Sequence, residues 1–397
     1  MKLAKRVGRI SPSPTLSITA EAKALAARGV DVIDFASGEP DFDTPPPIKE
    51  AGIAAIRSGF TKYTAAGGID ELKRAVADKL RRDHGLAYDT SQILISCGAK
   101  HTLYNVAQAL FEAGDEVVIP APYWVSFPDQ VRLNDATPVL VPTSEATGFR
   151  FTGDLLKRHV TDRTKAVIVN SPNNPTGSAY DRRMLDGIAE VALRHGLLII
   201  SDEIYEQFLY DGLEHVSIAS LGAEVQAQTV VVNGVSKTYA MTGWRIGYAA
   251  GPKDLIAAMG TIQSQSTSNP TSIAQKAAVT ALNEGEPFIK AMVAEFDKRR
   301  RCMVERLNKI PGIHCTMPNG AFYAFPHVGG LMGRRSPEGP VASATELAGY
   351  LLKEAQTATV PGEAFGAPEH LRFSYATGMQ QIVEGLDRIE AAVRRLT

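Results

Sequence analysis

Cysteine is scarce in this chain of 397 residues, which contains only Cys97, Cys302 and Cys315. The number is odd, and the three positions are too far apart for a CxxC motif. A disulfide framework and a zinc knuckle are therefore both disfavoured, and a reducing compartment is indicated. The 8 histidines are scattered without an HExxH spacing, so the pattern does not support a metal site. We expect a cytoplasmic protein without a metal cofactor.

Long apolar runs are missing as well. The run GLLII is only 5 residues long, whereas a helix that spans a bilayer needs about 18. The amino terminus, MKLAKRVGRISPS, is basic but is not followed by an apolar stretch, which disfavours a cleaved signal peptide. We therefore expect neither a membrane span nor a membrane partner.

An excess of one charge is also absent, because 42 lysines and arginines balance 43 aspartates and glutamates. A net charge of -1 gives no reason to expect nucleic acid as a partner. A basic run, KRRR at 298–301, lies in a helix-like stretch. We interpret it as a solvated helix face.

Strand-like and helix-like stretches alternate through most of the chain. The strand-like stretches are 92–98, 116–122, 137–142, 165–172, 196–203, 229–237 and 244–251. Because these strands are nearly continuous in apolar residues and are separated by helices, they predict a mostly parallel sheet covered on both faces. The fold class is therefore predicted to be α/β.

The domain organisation is predicted from changes in this pattern. A Pro-rich crossing follows residue 43, and a helix-rich stretch at 270–308 precedes shorter strands that suggest a smaller α/β domain. We predict an N-terminal arm with part of the small domain at 1–46, a large domain at 47–295 and the small domain at 296–397. The Gly- and Pro-dense stretch 329–340 is predicted to be a surface loop.

Polar residues follow several of the predicted strands, where open α/β sheets bind their ligands. They occur in SCGAK (96–100), NSPNNPTG (170–177), SDEIY (201–205) and the pair Ser236-Lys237, which Arg245 follows eight positions later. Each motif alone has an ordinary structural explanation, such as a helix cap, a tight turn or a surface lysine. Neither a Walker A loop nor a GxGxxG fingerprint is present, so nucleotide binding has little support.

Taken together, these motifs indicate pyridoxal 5′-phosphate (PLP). A PLP site needs a lysine for a Schiff base, a carboxylate for the pyridinium nitrogen, a donor for O3′ and a phosphate cradle. The motifs SPNNPTG, SDEIY, SKTYAMTGWRIGYAAGP and RFSYAT resemble those of the class I aminotransferases, which have the type I fold of PLP enzymes. APYWVS and GEPDFDTP are similar to the bacterial and plant aspartate aminotransferase branch. The resemblance runs from about residue 11 to about residue 377.

The resemblance implies a cofactor role for each matching residue. Lys237 would form the Schiff base and shuttle the proton, Asp202 would pair with the ring nitrogen, and Asn174 and Tyr205 would contact O3′. The rigid Pro-Asn-Asn-Pro turn would direct Asn174 at the cofactor, and Trp124 would stack on the ring. The phosphate would be held by Gly98, Ala99, Ser236, Arg245 and Tyr63 of a neighbouring subunit.

The resemblance also implies a substrate site. Arg372 would bind the α-carboxylate, with Gly38 lying against it, and Trp124 and Asn174 would line the same site. Lys100 matches the lysine that meets a distal carboxylate in this branch. Ser13 and Thr15 match the N-terminal Ser/Thr pair that assists this lysine in binding the distal carboxylate. Aspartate, glutamate and their 2-oxo acids are the implied substrates, with prephenate as a further one.

The implied function is therefore a ping-pong transamination by a homodimer with shared active sites. The alternatives are an aminotransferase for aromatic or other amino acids and another PLP reaction on the same fold, such as a C–S lyase. A DNA-binding regulator would need about 60–100 additional residues for a helix-turn-helix module. QTATVPG and CGAK depart from the commoner family sequences and leave substrate preference open.

Overall fold

The structure is a computed structural model that describes residues 1–10, 12, 14–337 and 339–397, with only the backbone described at Pro14 and Leu16. In these ranges no helix combines the length and the apolar character needed to cross a bilayer. The helices are α1 (Pro14–Ala27), α2 (Pro46–Arg57), α3 (Asp70–His84), α4 (Ala99–Leu110), α5 (Ser126–Arg132), α6 (Gly153–Lys157), α7 (Arg182–His195), α8 (Ala223–Ala227), α9 (Lys253–Ser266), α10 (Ser272–Glu284), α11 (Glu286–Leu307), α12 (Ala344–Glu354) and α13 (Met379–Arg394).

The strands form one large sheet and three small ones. The strands are β1 (Ile33–Asp34), β2 (Ile93–Ser96), β3 (Glu116–Ala121), β4 (Thr137–Pro142), β5 (Thr164–Asn170), β6 (Leu198–Asp202), β7 (Thr229–Gly234), β8 (Gly247–Ala250), β9 (Tyr323–Ala324), β10 (Arg335–Ser336), β11 (Gly339–Pro340), β12 (Thr357–Ala358), β13 (Val360–Pro361) and β14 (Leu371–Ser374).

The large sheet has 7 strands in the order β2-β8-β7-β6-β5-β3-β4. Only β8 runs antiparallel to its neighbours among these strands. Successive residues of β3 enter different cores, since Val117 and Ile119 pack on one face and Val118 on the other. Burial on both faces explains why these strands read as continuous apolar runs. The predicted α/β class with a mostly parallel sheet is confirmed.

The C-terminal part of the chain contains an antiparallel sheet of 3 strands in the order β13-β14-β9. The N-terminal arm joins this part, because β1 pairs in parallel with β12. The helix α11 contacts two cores, with Ile289 in the core beside the large sheet and Phe296 in the core of the C-terminal part. The predicted boundary near residue 295 falls within this helix, and the domain limits stay a prediction.

The turn NSPNNPTG leaves β5 through a dense set of hydrogen bonds. The Asn174 amide donates to Asn170 Oδ1 over 3.0 Å, and the Thr176 amide donates to Asn173 Oδ1 over 3.1 Å. Gly177 has φ +67°, and a Cβ atom there would lie 2.8 Å from the carbonyl oxygen of Gly320. A glycine is therefore required where this turn meets the C-terminal part.

Two local predictions are corrected by the structure. Of the KRRR run, Lys298 and Arg301 are exposed, but Arg299 and Arg300 are buried. Arg300 pairs with Asp211 over 2.9 Å, and the Asp211 side chain is 48% exposed, so this face of α11 joins two buried guanidinium groups to carboxylates at the surface. The stretch 329–340 contains a short antiparallel ladder between β10 and β11, so it is not loop throughout.

Candidate active site

A cavity of about 400 Å³ lies where β5, β6 and β7 end. Parallel strands present their carboxyl ends at one edge of a sheet, and ligands of open α/β sheets bind there. The cavity is lined by Thr15, Thr19, Lys23, Ser37, Gly38, Glu39, Ala99, Lys100, Leu103, Trp124, Val125, Asn170, Asn174, Asp202, Ile204, Tyr205, Ser236, Lys237, Thr242, Arg245, Tyr323 and Arg372. Most of the residues predicted for the site are therefore brought together.

Lys237 extends into this cavity from the segment that follows β7. Its Nζ donates to the carbonyl oxygen of Gly38. Burial lowers the pKa of Lys237 to about 8, and the nearby charges of Arg372 and Arg245 add to the effect. A lysine with this pKa has a substantial neutral fraction near pH 7, which a nucleophile or a base requires.

Asp202 lies at the end of β6 and is only 4% exposed. Its Oδ1 accepts a hydrogen bond of 3.2 Å from the Ile204 amide. Burial raises the pKa of Asp202 to about 7, and the charge of Glu203 adds to the effect. Among the described residues Asp202 has no salt-bridge partner within 4 Å. A cationic ring nitrogen in the cavity would supply the missing partner.

Asn174 and Tyr205 flank this acid and are both buried. The Tyr205 hydroxyl is 2.8 Å from the Tyr323 hydroxyl. Burial raises the pKa of Tyr205 well above its ordinary value. The phenol is therefore protonated near neutral pH and can donate a hydrogen bond to a ring oxygen.

The opposite wall of the cavity has the features of a phosphate cradle. Gly98 precedes α4 with φ +92°, and a Cβ atom there would collide with the guanidinium of Arg245. The first amides of a helix have no partner within that helix and attract anions. Arg245 Nη1 donates to the Thr242 carbonyl over 2.8 Å, and Ser236 borders the same space. A helix start, a hydroxyl and a guanidinium thus converge, as phosphate binding requires.

Arg372 on β14 is the most deeply buried cation of the cavity, at 2% exposure. It donates to the Ala36 carbonyl over 2.7 Å and to Asn174 Oδ1 over 3.0 Å, and its guanidinium carbon lies 4.5 Å from the ring centre of Tyr323. Its Nε has no hydrogen-bond partner, and no carboxylate of the described residues forms a salt bridge with it. Such a buried, unneutralised guanidinium is suited to a carboxylate ligand.

Lys100 and Thr15 lie at another side of the cavity. Lys100 Nζ is 5.0 Å from the ring centre of Trp124, and burial lowers the pKa of Lys100, with the charge of Arg245 as a further cause. The Thr15 hydroxyl is buried and has no hydrogen-bond partner among the described residues. Gly38 borders Arg372, since a Cβ there would be 4.0 Å from Nη2. Ser13, the other predicted residue of this region, lies outside the described residues.

Two described residues of the predicted site, Gly98 and Tyr63, do not line this cavity. Gly98 adjoins it next to Ala99 and Arg245, whereas Tyr63 lies at the surface. Tyr63 is 89% exposed on the surface of the single chain. Its predicted role requires a second subunit, so it stays a prediction.

Several residues of the cavity are not among those predicted from the sequence. Tyr323 contacts both Tyr205 and Arg372, Glu39 accepts a hydrogen bond from Thr242 over 2.7 Å, and Lys23 lies on α1 with Thr15 and Thr19. The strand-like stretch AFYAF contained Tyr323, but nothing in its spacing marked the tyrosine as a site residue. For the α1 residues, the spacing of 4 positions between Thr15, Thr19 and Lys23 was an available signal.

The fold and the cavity define an aminotransferase. The family model "Aminotransferase class I and II" matches residues 30–389, and the chain belongs to this family. The predicted resemblance is therefore confirmed, and family membership implies PLP as the cofactor.

Particular relatives are similar over their whole length. An aspartate aminotransferase of Geobacillus stearothermophilus is 50% identical, with 100% of this chain and 98% of the relative covered. An aspartate/prephenate aminotransferase of Nitrosomonas europaea is 45% identical, with 98% and 99% covered. The crystal structure of the aspartate aminotransferase from Rhizobium meliloti has a TM-score of 0.96 at 45% identity and covers 100% of both chains.

Proposed function

We propose that this aminotransferase exchanges the amino group of aspartate or glutamate with 2-oxo acids and uses PLP held by the cavity residues. The observation that carries the proposal is the buried Arg372 guanidinium, which has no acidic partner among the described residues, in one cavity with Lys100. Two cations in one cavity suit a substrate with two carboxylates. The names of the Geobacillus and Rhizobium relatives support the same substrate class.

The described residues fit PLP in three independent ways. Asp202 is a buried acid without a salt-bridge partner among them, Gly98 leaves space beside Arg245, and Lys237 is the enclosed amine between them. When bound, PLP supplies an electron sink that makes the substrate Cα–H bond acidic. Asp202 would hold the ring nitrogen, and the start of α4 with Ser236 and Arg245 would hold the phosphate.

The chain's own residues then have distinct tasks. Arg372 orients the substrate by its α-carboxylate, and Asn174, which accepts a hydrogen bond from Arg372, fixes the position of the guanidinium. Lys237 Nζ removes the Cα proton and can return it, because its pKa of about 8 lies near neutral pH. Tyr205 would donate a hydrogen bond from its phenol to the ring oxygen. Trp124 covers the site beside Lys100 and limits the access of water.

Lys100 is proposed to bind the distal carboxylate. We expect Lys100→Ala to lower kcat/KM for aspartate by about 10- to 150-fold, because a charged hydrogen bond shielded by the substrate contributes about 1.5–3 kcal/mol. Monocarboxylic amino acids such as alanine should lose less than about threefold. The measurement is a comparison of kcat/KM for both substrates in wild type and variant.

The matched control for this experiment is Lys253→Ala, an exposed lysine at the start of α9. Equal losses of kcat/KM for alanine and aspartate in Lys100→Ala would contradict the assignment of the distal subsite while leaving the proposed transamination intact.

Prephenate, which the name of the Nitrosomonas relative includes, is a second candidate substrate. The Thr15 hydroxyl, which lines the same cavity as Lys100 and has no hydrogen-bond partner among the described residues, favours it, and Lys100→Ala should then impair prephenate together with aspartate.

We also propose a cytoplasmic homodimer in which Tyr63 of one subunit reaches the phosphate in the other. Its 89% exposure in the single chain supports this role. Mixing the variants Tyr63→Phe and Lys237→Ala should raise activity above that of either homodimer, because in the hybrid dimer the Tyr63→Phe subunit keeps its own Arg245 and Lys237 and receives the unmutated Tyr63 of the other subunit. The yield of mixed dimers is measured with two affinity tags. Mixed dimers that form but are no more active per intact lysine than the Tyr63→Phe homodimer would contradict a contribution of Tyr63 across the interface.

A further inference from the structure

A second group of chemically reactive side chains lies behind the cofactor site. Along SDEIYE, Asp202 and Tyr205 line the cavity, whereas Glu203 and Glu206 do not. The two glutamates instead meet His84, the last residue of α3, and His215. This group of four, called here the His/Glu cluster, is separate from the residues proposed for transamination.

The geometry of the His/Glu cluster is compact. One ligand atom from each of the four residues lies within 4.8 Å of all the others. His84 Nε2 is 2.5 Å from Glu206 Oε2, and His215 Nε2 is 3.2 Å from Glu203 Oε2. Both glutamates are at most 3% exposed, and the histidine side chains are 5% and 8% exposed. Four nitrogen and oxygen donors thus converge in a nearly dry space.

Each carboxylate has one oxygen held from outside the cluster. Glu203 Oε1 accepts hydrogen bonds from the hydroxyls of Ser201 over 2.8 Å and Ser217 over 2.7 Å. Glu206 Oε1 pairs with Lys79 Nζ. The remaining oxygen of each glutamate faces a histidine. Carboxylates that bind metals are oriented in this way by outer hydrogen bonds.

Two of the converging atoms lack hydrogen bonds. Glu203 Oε2 and His215 Nε2 are buried and lie 3.2 Å apart as an ion pair, yet neither forms a hydrogen bond of acceptable geometry with any described residue. Buried polar atoms in this condition are rare, and a ligand shared by the two atoms would satisfy both.

We propose that His84, Glu203, Glu206 and His215 bind a zinc ion. Zinc takes four nitrogen and oxygen ligands in a tetrahedron, and a set without an open position is structural rather than catalytic. The charge also balances, because zinc and Lys79 carry three positive charges and the carboxylates of Glu203, Glu206 and Asp83 carry three negative ones, with Asp83 3.0 Å from Lys79. The ion would join the end of α3 to the segment that carries Asp202 and Tyr205.

The test measures the zinc content of the PLP-loaded protein. Four proteins are dialysed against equal free zinc and analysed by elemental mass spectrometry. They are wild type, Glu203→Gln, His215→Ala and the control His195→Ala, which changes an exposed residue at the end of α7. We expect about one zinc per chain in wild type and control, and less than about 0.1 in both cluster variants. Wild type should also melt about 3 °C higher at free zinc about a hundred times Kd.

Glu203→Gln preserves the shape of the side chain, so the test can still be made if His215→Ala does not fold. Cobalt substitution of wild type gives a further readout, since tetrahedral Co²⁺ has intense visible bands that hydrated Co²⁺ lacks. No saturable zinc in wild type, or equal zinc in all four proteins, would overturn the proposal and leave a metal-free ionic cluster. These measurements do not depend on transaminase activity, so the failure of the zinc site and the failure of the proposed function are distinguishable.

Discussion

Replacing Lys237 with alanine should abolish transamination and lower kcat by at least about a thousandfold, since a positioned acid–base group contributes about 10²–10⁴ and the covalent link is lost as well. Three lysines line the cavity, and among them the Lys237 amine is the one whose pKa burial lowers to about 8. The measurement is turnover of aspartate with a 2-oxo acid.

The location of the covalent link is measured separately. Borohydride reduction of the wild-type protein followed by peptide mapping should find the cofactor on Lys237 and on no other lysine. Lys253→Ala, an exposed change on α9, controls for the general effect of removing a lysine. A label on Lys100 or Lys23, or turnover of Lys237→Ala within tenfold of wild type, would show that the catalytic amine has been assigned to the wrong residue.

Replacing Asp202 with asparagine should lower kcat by more than about a hundredfold, which corresponds to about 2.7 kcal/mol of transition-state stabilisation. Burial raises the pKa of this carboxyl to about 7, although the nearby charge of Lys237 acts in the opposite direction. A cationic ring nitrogen would lower that pKa again, so the carboxylate would be ionised at neutral pH and would keep the ring protonated. Asparagine can still accept the hydrogen bond from the Ile204 amide but cannot supply the charge.

This variant should therefore keep its fold and most of its PLP. The absorbance of the bound cofactor and its content per chain are measured beside kcat, and Asp254→Asn on the exposed face of α9 is the control. Near-normal turnover with full PLP would mean that Asp202 acts as a structural cap for the turn after β6.

The sheet could be predicted because its physical cause is local in the sequence. Strands buried on both faces must be apolar throughout, so β3, β5, β6 and β7 appear as apolar runs. The edge strand β4 is mostly unburied, yet its apolar residues also place it at residues 137–142 as observed. The turn NSPNNPTG was predicted to be rigid for the same kind of reason, since prolines and asparagines restrict the backbone wherever they occur. The family resemblance came from these same motifs.

Other features depend on side chains that are distant in the chain. The sequence pattern predicts that Arg300 is exposed on a helix face. In the structure it is buried and donates hydrogen bonds to Asp211 and to the Pro318 carbonyl. Tyr323 became a site residue only because β9 pairs with β14, which brings its ring against Arg372. No local pattern records such contacts, because they arise from strand pairing over long separations.

The sequence by itself determined the fold class, the family and the residues whose chemistry PLP requires, since apolar runs and rigid turns act over a few neighbouring positions. Only the tertiary structure decided the electrostatics of those residues. Burial without a salt-bridge partner raises the pKa of Asp202, and three nearby cations help to lower that of Lys237. The His/Glu cluster likewise exists only in three dimensions, because folding brings His84 and His215 to two glutamates more than 100 positions from His84. Desolvation and charge proximity depend on the packed whole, and no short stretch of sequence contains them.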